Sequence, residues 1–384
     1  MVAEMESIVR SREARSPTDV PPGDVFLVVD GWATLRQEFD SLEPRVIAIA
    51  AQGLSFGVHV IVTASRWAEI RPALKDQIGT RVELRLGDPA DSEMDRRRAR
   101  QLCHLPPGRG ITRDGKEMVI ARPHLDRDVP AQWPGRRARP IELLPLHVAD
   151  DATASQVVVG LGEHELQPVV LDFTDQPHLV ILGETACGKT SALRLLCREI
   201  VRTTHADMVQ IEIVDFRRTL LGVVESAHLG GYSMSSTTLA ARIPVLLERL
   251  QSRMPGENVT QQQLRDRSWW SGPEMYLVVD DYDLVASATG NPLTPLVDYL
   301  PQAKDIGLHV IVARRSGGAA RAMFDPVLAR LRDMGCMGLM MSASAEEGVL
   351  LGSVRPSTQP PGRGTLITRG HPDQLIQVAW TDPA

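Results

Sequence analysis

Residues 182–196 read LGETACGKTSALRLL and contain the most informative motif of this sequence. It matches the pattern G-x-x-x-x-G-K-[ST] of a phosphate-binding loop through Gly183, Gly188, Lys189 and Thr190. The apolar run HLVILG at 178–183 precedes the loop and predicts a buried strand, and the residues from 190 onward predict a helix. Strand, loop and helix in this order form the setting in which the pattern binds nucleotide.

Each part of the loop has a predicted chemical role. Backbone N–H groups and the helix N-terminus attract phosphate oxygens, Lys189 reaches the β- and γ-phosphates, and the Thr190 hydroxyl binds Mg²⁺. The acidic side chain of Glu184 would be unfavourable beside the phosphates unless it points outward, which a variable loop position allows, and Cys187 is interpreted as a small filler rather than a redox switch. The predicted ligands are therefore ATP and Mg²⁺, held by Gly183, Glu184, Thr185, Ala186, Cys187, Gly188, Lys189 and Thr190.

A nucleotide site of this kind also needs an acid at the end of a second buried strand. The segment MYLVVDDYDLV at 275–285 supplies Asp280, placed to hold the Mg²⁺ ion through its water shell. The sequence thus predicts Thr190 and Asp280 as the metal ligands. The alternative is that Asp280 and Asp281 only cap the turn after the strand.

Three segments of the chain repeat in the same order. VFLVVDGW at 25–32 resembles MYLVVDDYDLV, and its Asp30 lies 250 positions before Asp280 (280 − 30). GVHVIVTASR at 57–66 matches GLHVIVARRS, also after 250 positions (307 − 57). LPPGRGIT at 105–112 matches QPPGRGTLIT after 254 positions (360 − 106). A repeat unit of this length is a whole domain that has been duplicated.

The two copies differ in completeness. Residues 140–384 are predicted to form a complete module with its phosphate loop, whereas residues 1–139 hold only the C-terminal part of a module without that loop. Strands alternate with helices in the second copy, so we predict an α/β fold with a parallel sheet between helices. The predicted strands are 178–183, 209–216, 275–281, 309–314 and 337–341, and the predicted helices are 190–203, 237–254, 292–303 and 320–334.

Composition and charge argue against several function classes. A net charge of −6 disfavours a dedicated nucleic-acid binder, and no run of 18 apolar residues indicates a membrane span. The polar N-terminus MVAEMESIVRSREARS is not typical of a secretory signal. The four cysteines lack the C-x-x-C spacing of zinc sites and are interpreted as reduced thiols.

The order of phosphate loop, IVDFRRTLL, LVVDDYD, GLHVIVARR and PPGRG resembles the FtsK/SpoIIIE–HerA branch of RecA-like P-loop ATPases. Tandem modules and an acidic balance resemble, within that branch, the EccC ATPases of type VII (ESX) secretion systems. The resemblance covers nearly the whole chain. It implies a cytoplasmic location at the inner face of the plasma membrane and small helical WXG100-type proteins as the secretion substrates. It also implies contacts with other ESX membrane-complex components or an upstream ATPase module, and a homo-hexamer as the assembly.

Two departures from the motor pattern concern hydrolysis. Motor members carry Asp-Glu after the second strand, but here Asp281 replaces the Glu and is one methylene shorter, and Gly31 stands at the matching place in the first copy. A displacement of about 1 Å can lower a rate on the order of 10²-fold. Motor members also carry a polar sensor, often Gln, where this chain has Arg315 and, in the first copy, Ser65.

Three functions are weighed on this basis. The first is a nucleotide-holding, substrate-recognising part of a secretion ATPase with weak or regulated hydrolysis, in which Asp281 and Arg315 are the catalytic candidates. The second is a hexameric FtsK/HerA-like motor that translocates DNA, and the third is a scaffold that binds nothing. Trp269 and Trp270 in RSWWSG are expected to pack in the core, although one of them could instead be exposed for a partner.

Overall fold

The computed structural model describes residues 1–14, 23–121, 142–150, 155–164, 166–287 and 290–382. By internal contacts the chain divides into two units, Met1–Ile141 and Glu142–Ala384. The predicted boundary between residues 139 and 140 lies outside the described residues, which leave out 122–141. Within the described ranges, no helix combines the length and the apolar character needed to cross a bilayer.

Unit 1 contains short helices and two small sheets. Its helices are α1 (Val2–Glu13), α2 (Trp32–Glu38), α3 (Leu42–Gln52), α4 (Pro72–Lys75) and α5 (Arg96–Leu102). Its strands are β1 (Val25–Val29), β2 (Val58–Val62), β3 (Val82–Leu84), β4 (Arg109–Thr112) and β5 (Glu117–Val119). Short 3₁₀ helices lie at Gly53–Phe56, Trp67–Glu69 and Pro89–Asp91.

The two sheets of unit 1 differ in direction. Strands β1 and β2 are parallel, and β3, β4 and β5 form an antiparallel meander. The core packs helices α1 and α3 against one face of β1 and β2, around the fully buried residues Trp32, Val46 and Leu74. The other face of β1 carries the exposed side chains of Phe26 and Val28.

Unit 2 is built around one large sheet. Its strands are β6 (Val158–Gly162), β7 (Pro168–Val170), β8 (His178–Gly183), β9 (Val209–Val214), β10 (Leu229–Ser233), β11 (Glu274–Val279), β12 (Leu308–Arg315), β13 (Met337–Met341), β14 (Arg363–Ile367) and β15 (Gln374–Val378). Its helices are α6 (Lys189–Thr203), α7 (Ser236–Ser252), α8 (Gln261–Asp266), α9 (Tyr282–Val285), α10 (Ala303–Ile306), α11 (Ala319–Ala322) and α12 (Pro326–Asp333). Three 3₁₀ helices lie at Thr294–Asp298, Leu300–Gln302 and Ala345–Glu347.

The strand order of this sheet is β10-β9-β11-β12-β8-β13-β14-β15-β6-β7. The first six strands are parallel, and the remaining pairs are antiparallel. Alternate residues of β8 serve two cores, because Leu179 and Ile181 face the side of α6, whereas Val180 and Leu182 face the side of α7 and α12. The predicted α/β fold of RecA type is confirmed, with helices on both faces of the parallel strands.

The element predictions needed two corrections. The helix predicted over 292–303 is a pair of 3₁₀ turns followed by α10, because Pro295 and Pro301 interrupt α-helical hydrogen bonding. The helix predicted over 320–334 is split into α11 and α12, and Asp325 caps the second of these by accepting hydrogen bonds from Val327 and Leu328. The structure also adds the antiparallel strands and α8, which the apolar pattern did not predict.

Candidate nucleotide-binding site

The phosphate loop joins β8 to α6, and β8 lies near the middle of the ten-stranded sheet, between β12 and β13. Its backbone takes left-handed conformations at Ala186 (φ 61°) and Gly188 (φ 109°). The Lys189 Nζ atom donates hydrogen bonds to the carbonyl oxygens of Gly183 (3.1 Å) and Glu184 (2.6 Å), so the ammonium lies within the curve of the loop. This cradle and its buried cation are suited to an anionic ligand such as a phosphate chain.

The strand order brings Asp280 to the loop. Asp280 follows β11, which is separated from β8 by β12 alone, and its Oδ2 atom accepts a hydrogen bond from Thr190 Oγ1 at 2.8 Å. Burial raises the pKa of the Asp280 carboxyl, which is 1% exposed, and the neighbouring Asp281 carboxylate acts in the same direction, against the hydroxyl hydrogen bonds. A buried carboxylate beside a threonine hydroxyl is a donor set that fits Mg²⁺, so these residues fit the metal and nucleotide that the loop implies.

The remaining loop residues are arranged as their types suggest. Glu184, Thr185 and Ala186 are exposed, so Glu184 lies at the surface of the loop. Cys187 is buried, and burial raises the pKa of its thiol. The thiol is therefore neutral at physiological pH and fills space beneath the loop.

Asp281 takes a strained backbone conformation and has a basic partner. Its φ is 45°, which is unusual for a residue other than glycine, and its side chain makes no capping hydrogen bond to helix α9. The Asp281 Oδ2 atom instead pairs with Arg217 Nε at 3.0 Å. Asp280 accepts a hydrogen bond from the Asp281 amide at 2.9 Å in addition to its bond with Thr190. Its carboxylate therefore stabilises the turn after β11 and also contacts the end of the phosphate loop.

Arg315 lies beside the first residue of the loop. In the sheet register it is paired with Gly183, and the next amide, that of Ser316, donates to the Gly183 carbonyl oxygen at 3.0 Å. The Arg315 guanidinium forms an ion pair with Asp283 through Nη2 at 2.8 Å. The sensor position is thus next to the loop, but its charge is directed to helix α9.

The sequence interpretation assigned no role to the segment after β9, although it noted the motif IVDFRRTLL. The Thr219 Oγ1 atom donates to Asp280 Oδ2 at 3.0 Å. Asp215 anchors the same segment by accepting from the Leu220 amide and the Tyr232 hydroxyl, each at 2.7 Å. An acid directly after a buried strand was the available signal for this anchor.

The second PPGRG motif also reaches the loop. The Gly362 amide donates to the Cys187 carbonyl oxygen at 2.8 Å, and a Cβ atom on Gly188 would lie 3.1 Å from the Gly362 nitrogen. The next residue, Arg363, donates through Nη2 to the carbonyl oxygens of Leu144 (2.7 Å) and Pro145 (3.0 Å). The repeated motif therefore supports the phosphate loop and holds the segment that enters unit 2.

The two adjacent tryptophans are both half-buried rather than fully packed in the core. Trp269 Nε1 donates to the Arg253 carbonyl oxygen at 2.7 Å, and Trp270 Nε1 donates to the Asp305 carbonyl oxygen at 2.8 Å. The Arg253 guanidinium lies over the Trp270 ring at 4.3 Å from its centroid. Both rings are tied to neighbouring backbone and have a structural role here.

The chain is similar over most of its length to a known family and to proteins within it. The model of the FtsK/SpoIIIE family matches residues 2–126 and 149–350. The ESX-4 secretion system protein EccC4 of Mycobacterium tuberculosis is 56% identical over 389 residues, covering 99% of this chain and 32% of that protein. The chain thus spans about a third of the length of this relative.

Two further matches cover larger shares of the compared proteins. The ESX-1 secretion system protein EccCb1 of Mycolicibacterium smegmatis is 34% identical over 417 residues, covering 98% of this chain and 70% of that protein. The solved structure of Thermomonospora curvata EccC (ATPases 2 and 3) in complex with a signal sequence peptide superposes with a TM-score of 0.77 and 39% identity. That match covers 99% of this chain and 72% of the other.

Proposed function

Since the chain belongs to the FtsK/SpoIIIE family and, within it, to the EccC ATPases of type VII secretion systems, we propose that unit 2 binds ATP with Mg²⁺ and hydrolyses it slowly or under control. In this proposal the nucleotide is mainly a structural and regulatory ligand. The carrying observation is the hydrogen bond between Thr190 and Asp280, which joins the phosphate loop to the acid of a separate strand.

The residues that hold the ligand follow from the geometry. The loop amides and Lys189 would hold the phosphates, and Thr190 and Asp280 would hold the metal, the Asp through its water shell. Bound Mg²⁺ supplies charge neutralisation at the phosphates. Burial keeps water away from Asp280, so the attraction between its carboxylate and Mg²⁺ is stronger than at the surface.

Slow hydrolysis is supported by the two catalytic candidates. A general base must lie within hydrogen-bond reach of the water it activates. Asp281 has a shorter side chain than glutamate and is paired with Arg217, while Arg315 is paired with Asp283. Neither group is free to act in the arrangement described, so we expect turnover to depend on a change at these ion pairs or on a neighbouring module.

Calorimetric titration with ATP, combined with a phosphate-release assay, tests this proposal. We expect one ATP per chain and turnover below about 1 s⁻¹, the low end for ordinary enzymes. Lys189→Ala should weaken ATP binding by about 100-fold, because it removes a buried cation that makes charge-assisted hydrogen bonds. Lys304→Ala, which removes an exposed cation paired with Asp175, is the matched control and should bind normally. Faster turnover that DNA stimulates would favour the motor instead.

We also propose that the chain takes part in recognising small helical WXG100-type secretion substrates. We place this activity at the cytoplasmic face of the plasma membrane, where the chain would contact other ESX components or an upstream ATPase module. The proposed assembly is a homo-hexamer. The T. curvata EccC structure described as a complex with a signal sequence peptide supports substrate recognition by this part of the family. The acidic net charge of −6 does not favour DNA as the partner.

Co-purification with a WXG100-type heterodimer tests the substrate proposal. We expect the chain to retain the intact heterodimer and to lose it when the C-terminal tail of the substrate is removed. Retention that does not depend on the tail would contradict recognition of a terminal signal. Sedimentation of the chain with and without ATP tests the hexamer.

A further inference from the structure

The ion pair between Arg217 and Asp281 lies next to the metal-binding acid. We propose that Arg217 is a positioning residue that restrains Asp281, withholding its carboxylate from the water that would attack bound ATP. This inference rests on the proposed ATP site and concerns its regulation. Arg217 belongs to the segment 215–220, which lies outside the phosphate-loop motif.

The backbone of Arg217 is held firmly. The Arg217 amide donates to Asp215 Oδ1 at 3.0 Å, and the Leu220 amide donates to the other oxygen of the same carboxylate at 2.7 Å. Asp215 itself is buried and accepts a further bond from Tyr232. The base of the Arg217 side chain therefore has a fixed position beside the end of β11.

The same segment touches the metal-binding acid directly. Thr219, two residues after Arg217, donates to Asp280 Oδ2 at 3.0 Å, and that oxygen also accepts from Thr190. Arg217 and Thr219 thus contact two consecutive acids, Asp281 and Asp280. One short segment sets the surroundings of both carboxylates at the carboxyl end of β11.

The two partners of the ion pair differ in mobility. The Arg217 side chain is 53% exposed, whereas the Asp281 side chain is 14% exposed. The backbone of Asp281 is also fixed in an unusual conformation, with a φ of 45°. Exposed ion pairs are weak, so the guanidinium can leave at little cost, while Asp281 stays in place. While the ion pair is formed, the Asp281 Oδ2 atom faces the guanidinium, 3.0 Å from Arg217 Nε, instead of a water molecule. The pair therefore restrains Asp281 in a way that is readily reversed.

A double-mutant cycle with Arg217→Ala and Asp281→Asn tests the inference in two readouts. In the first readout, Arg217→Ala should weaken ATP binding by about fivefold, because an unpaired Asp281 carboxylate then faces the phosphates. Asp281→Asn in the same chain should restore the affinity. In the second readout, Arg217→Ala should raise phosphate release by about threefold, as expected for loss of a weak ion pair, and Asp281→Asn should abolish that gain.

Matched variants separate this role from a general effect of charge. Arg218→Ala removes the neighbouring exposed cation of the same segment and should change neither readout. Arg217→Lys keeps a cation in reach of Asp281 and should restore most of the restraint. Equal behaviour of Arg217→Ala and Arg217→Ala/Asp281→Asn in both readouts would overturn the inference while leaving ATP binding intact. Failure of the unsubstituted chain to bind ATP would overturn the proposed function as well.

Discussion

Each unit contains an equivalent pair of parallel strands, β1 and β2 in unit 1 and β11 and β12 in unit 2. The two pairs differ in how far their side chains are buried. In unit 1, Val25 of β1 lies beside Val58 of β2, and in unit 2, Met275 of β11 lies beside Leu308 of β12. Both members are displaced by 250 positions (275 − 25 and 308 − 58), so the duplication read from the sequence extends to the strand register.

Side-chain contacts repeat with the same displacement. Phe26 stacks on His59 with 4.7 Å between ring centroids, and Tyr276 stacks on His309 with 4.2 Å. Each histidine also lies near a carboxylate at the start of the neighbouring strand, Asp24 at 3.1 Å in unit 1 and Glu274 at 3.2 Å in unit 2. Yet Phe26 is 57% exposed and Tyr276 is 7% exposed.

The difference shows what the phosphate-loop strand does for the fold. In unit 2, β8 lies between β12 and β13 and joins them into one sheet. Among the described residues of unit 1, no strand joins β2 to β3, and the sheet is divided into two. The segment that would bind nucleotide is therefore also the central strand of the sheet, and unit 1 shows the same framework without it.

The largest expected effect contrasts the two stacked rings. Tyr276→Ala should lower the free energy of unfolding of unit 2 by about 3–5 kcal/mol, because it leaves a cavity among buried residues of the core. Phe26→Ala removes an exposed ring and should cost less than about 1 kcal/mol in unit 1. Hydrogen exchange followed separately at β11 and β1 measures both.

Tyr276→Phe keeps the ring and is the control for cavity formation. It should cost less than about 1.5 kcal/mol. Equal losses of stability for Tyr276→Ala and Phe26→Ala would show that the exposed face of unit 1 is covered in solution. The two rings would then not differ in burial.

A second prediction concerns ligand stabilisation. ATP with Mg²⁺ at about 100 times its dissociation constant should stabilise unit 2 by about 2.7 kcal/mol, since only the folded unit presents the loop. Hydrogen exchange at β8 and β11 should slow, while exchange at β1 should stay unchanged. Slower exchange at β1 would indicate that unit 1 also responds to nucleotide, which would contradict the expectation that only unit 2 binds it.

Local sequence patterns predicted the parallel part of this fold well. The largely apolar runs that became β8, β11, β12 and β13 lie in the sheet interior, where both faces are buried and composition indicates a strand. Strands β14 and β15 carry polar residues such as Arg363 and Gln377 and lie in the antiparallel extension. Their place in the sheet depends on pairing with distant partners, which a local pattern does not show.

The candidate site divides in the same way. Lys189, Thr190 and Asp280 belong to recognisable motifs, and strand order brings Asp280 to the Thr190 hydroxyl. The contact of Thr219 with Asp280 and that of Gly362 with the loop depend on the tertiary fold. Motif spacing gives no distance between such segments, so their roles emerged only with the structure.

A third prediction tests whether the antiparallel pairs β3–β4 and β13–β14 are equivalent. A Cβ atom on Gly364 would lie 2.8 Å from the Met340 carbonyl oxygen, and one on Gly110 would lie 2.7 Å from the Glu83 carbonyl oxygen. Gly364→Ala and Gly110→Ala should therefore each destabilise their own unit by about 1–3 kcal/mol, because backbone must shift. Urea denaturation with hydrogen exchange measures the losses.

Gly256→Ala is the matched control for these two substitutions, because a Cβ atom there would have no other atom within 4 Å. It should change stability by less than about 1 kcal/mol. A tolerated Gly110→Ala beside a damaging Gly364→Ala would mean that the first unit accommodates backbone shifts that the second does not.

The smallest expected effect is a pH dependence confined to unit 2. Burial lowers the pKa of His178 to about 3, and the nearby His309 adds to this shift. Below the unfolded pKa near 6.5 the unfolded chain binds a proton that the folded unit does not, so stability falls as pH falls from about 6.5 toward 3. Between pH 7 and 5.5 we expect a loss of about 1 kcal/mol in the free energy of unfolding.

His178→Asn should flatten the pH profile of unit 2, measured by urea denaturation with hydrogen exchange, and leave that of unit 1 unchanged. An unchanged slope in unit 2 would show that His178 is not the group responsible. The residue begins β8, the strand without a counterpart among the described residues of unit 1, so this pH response would mark the strand that separates the two units.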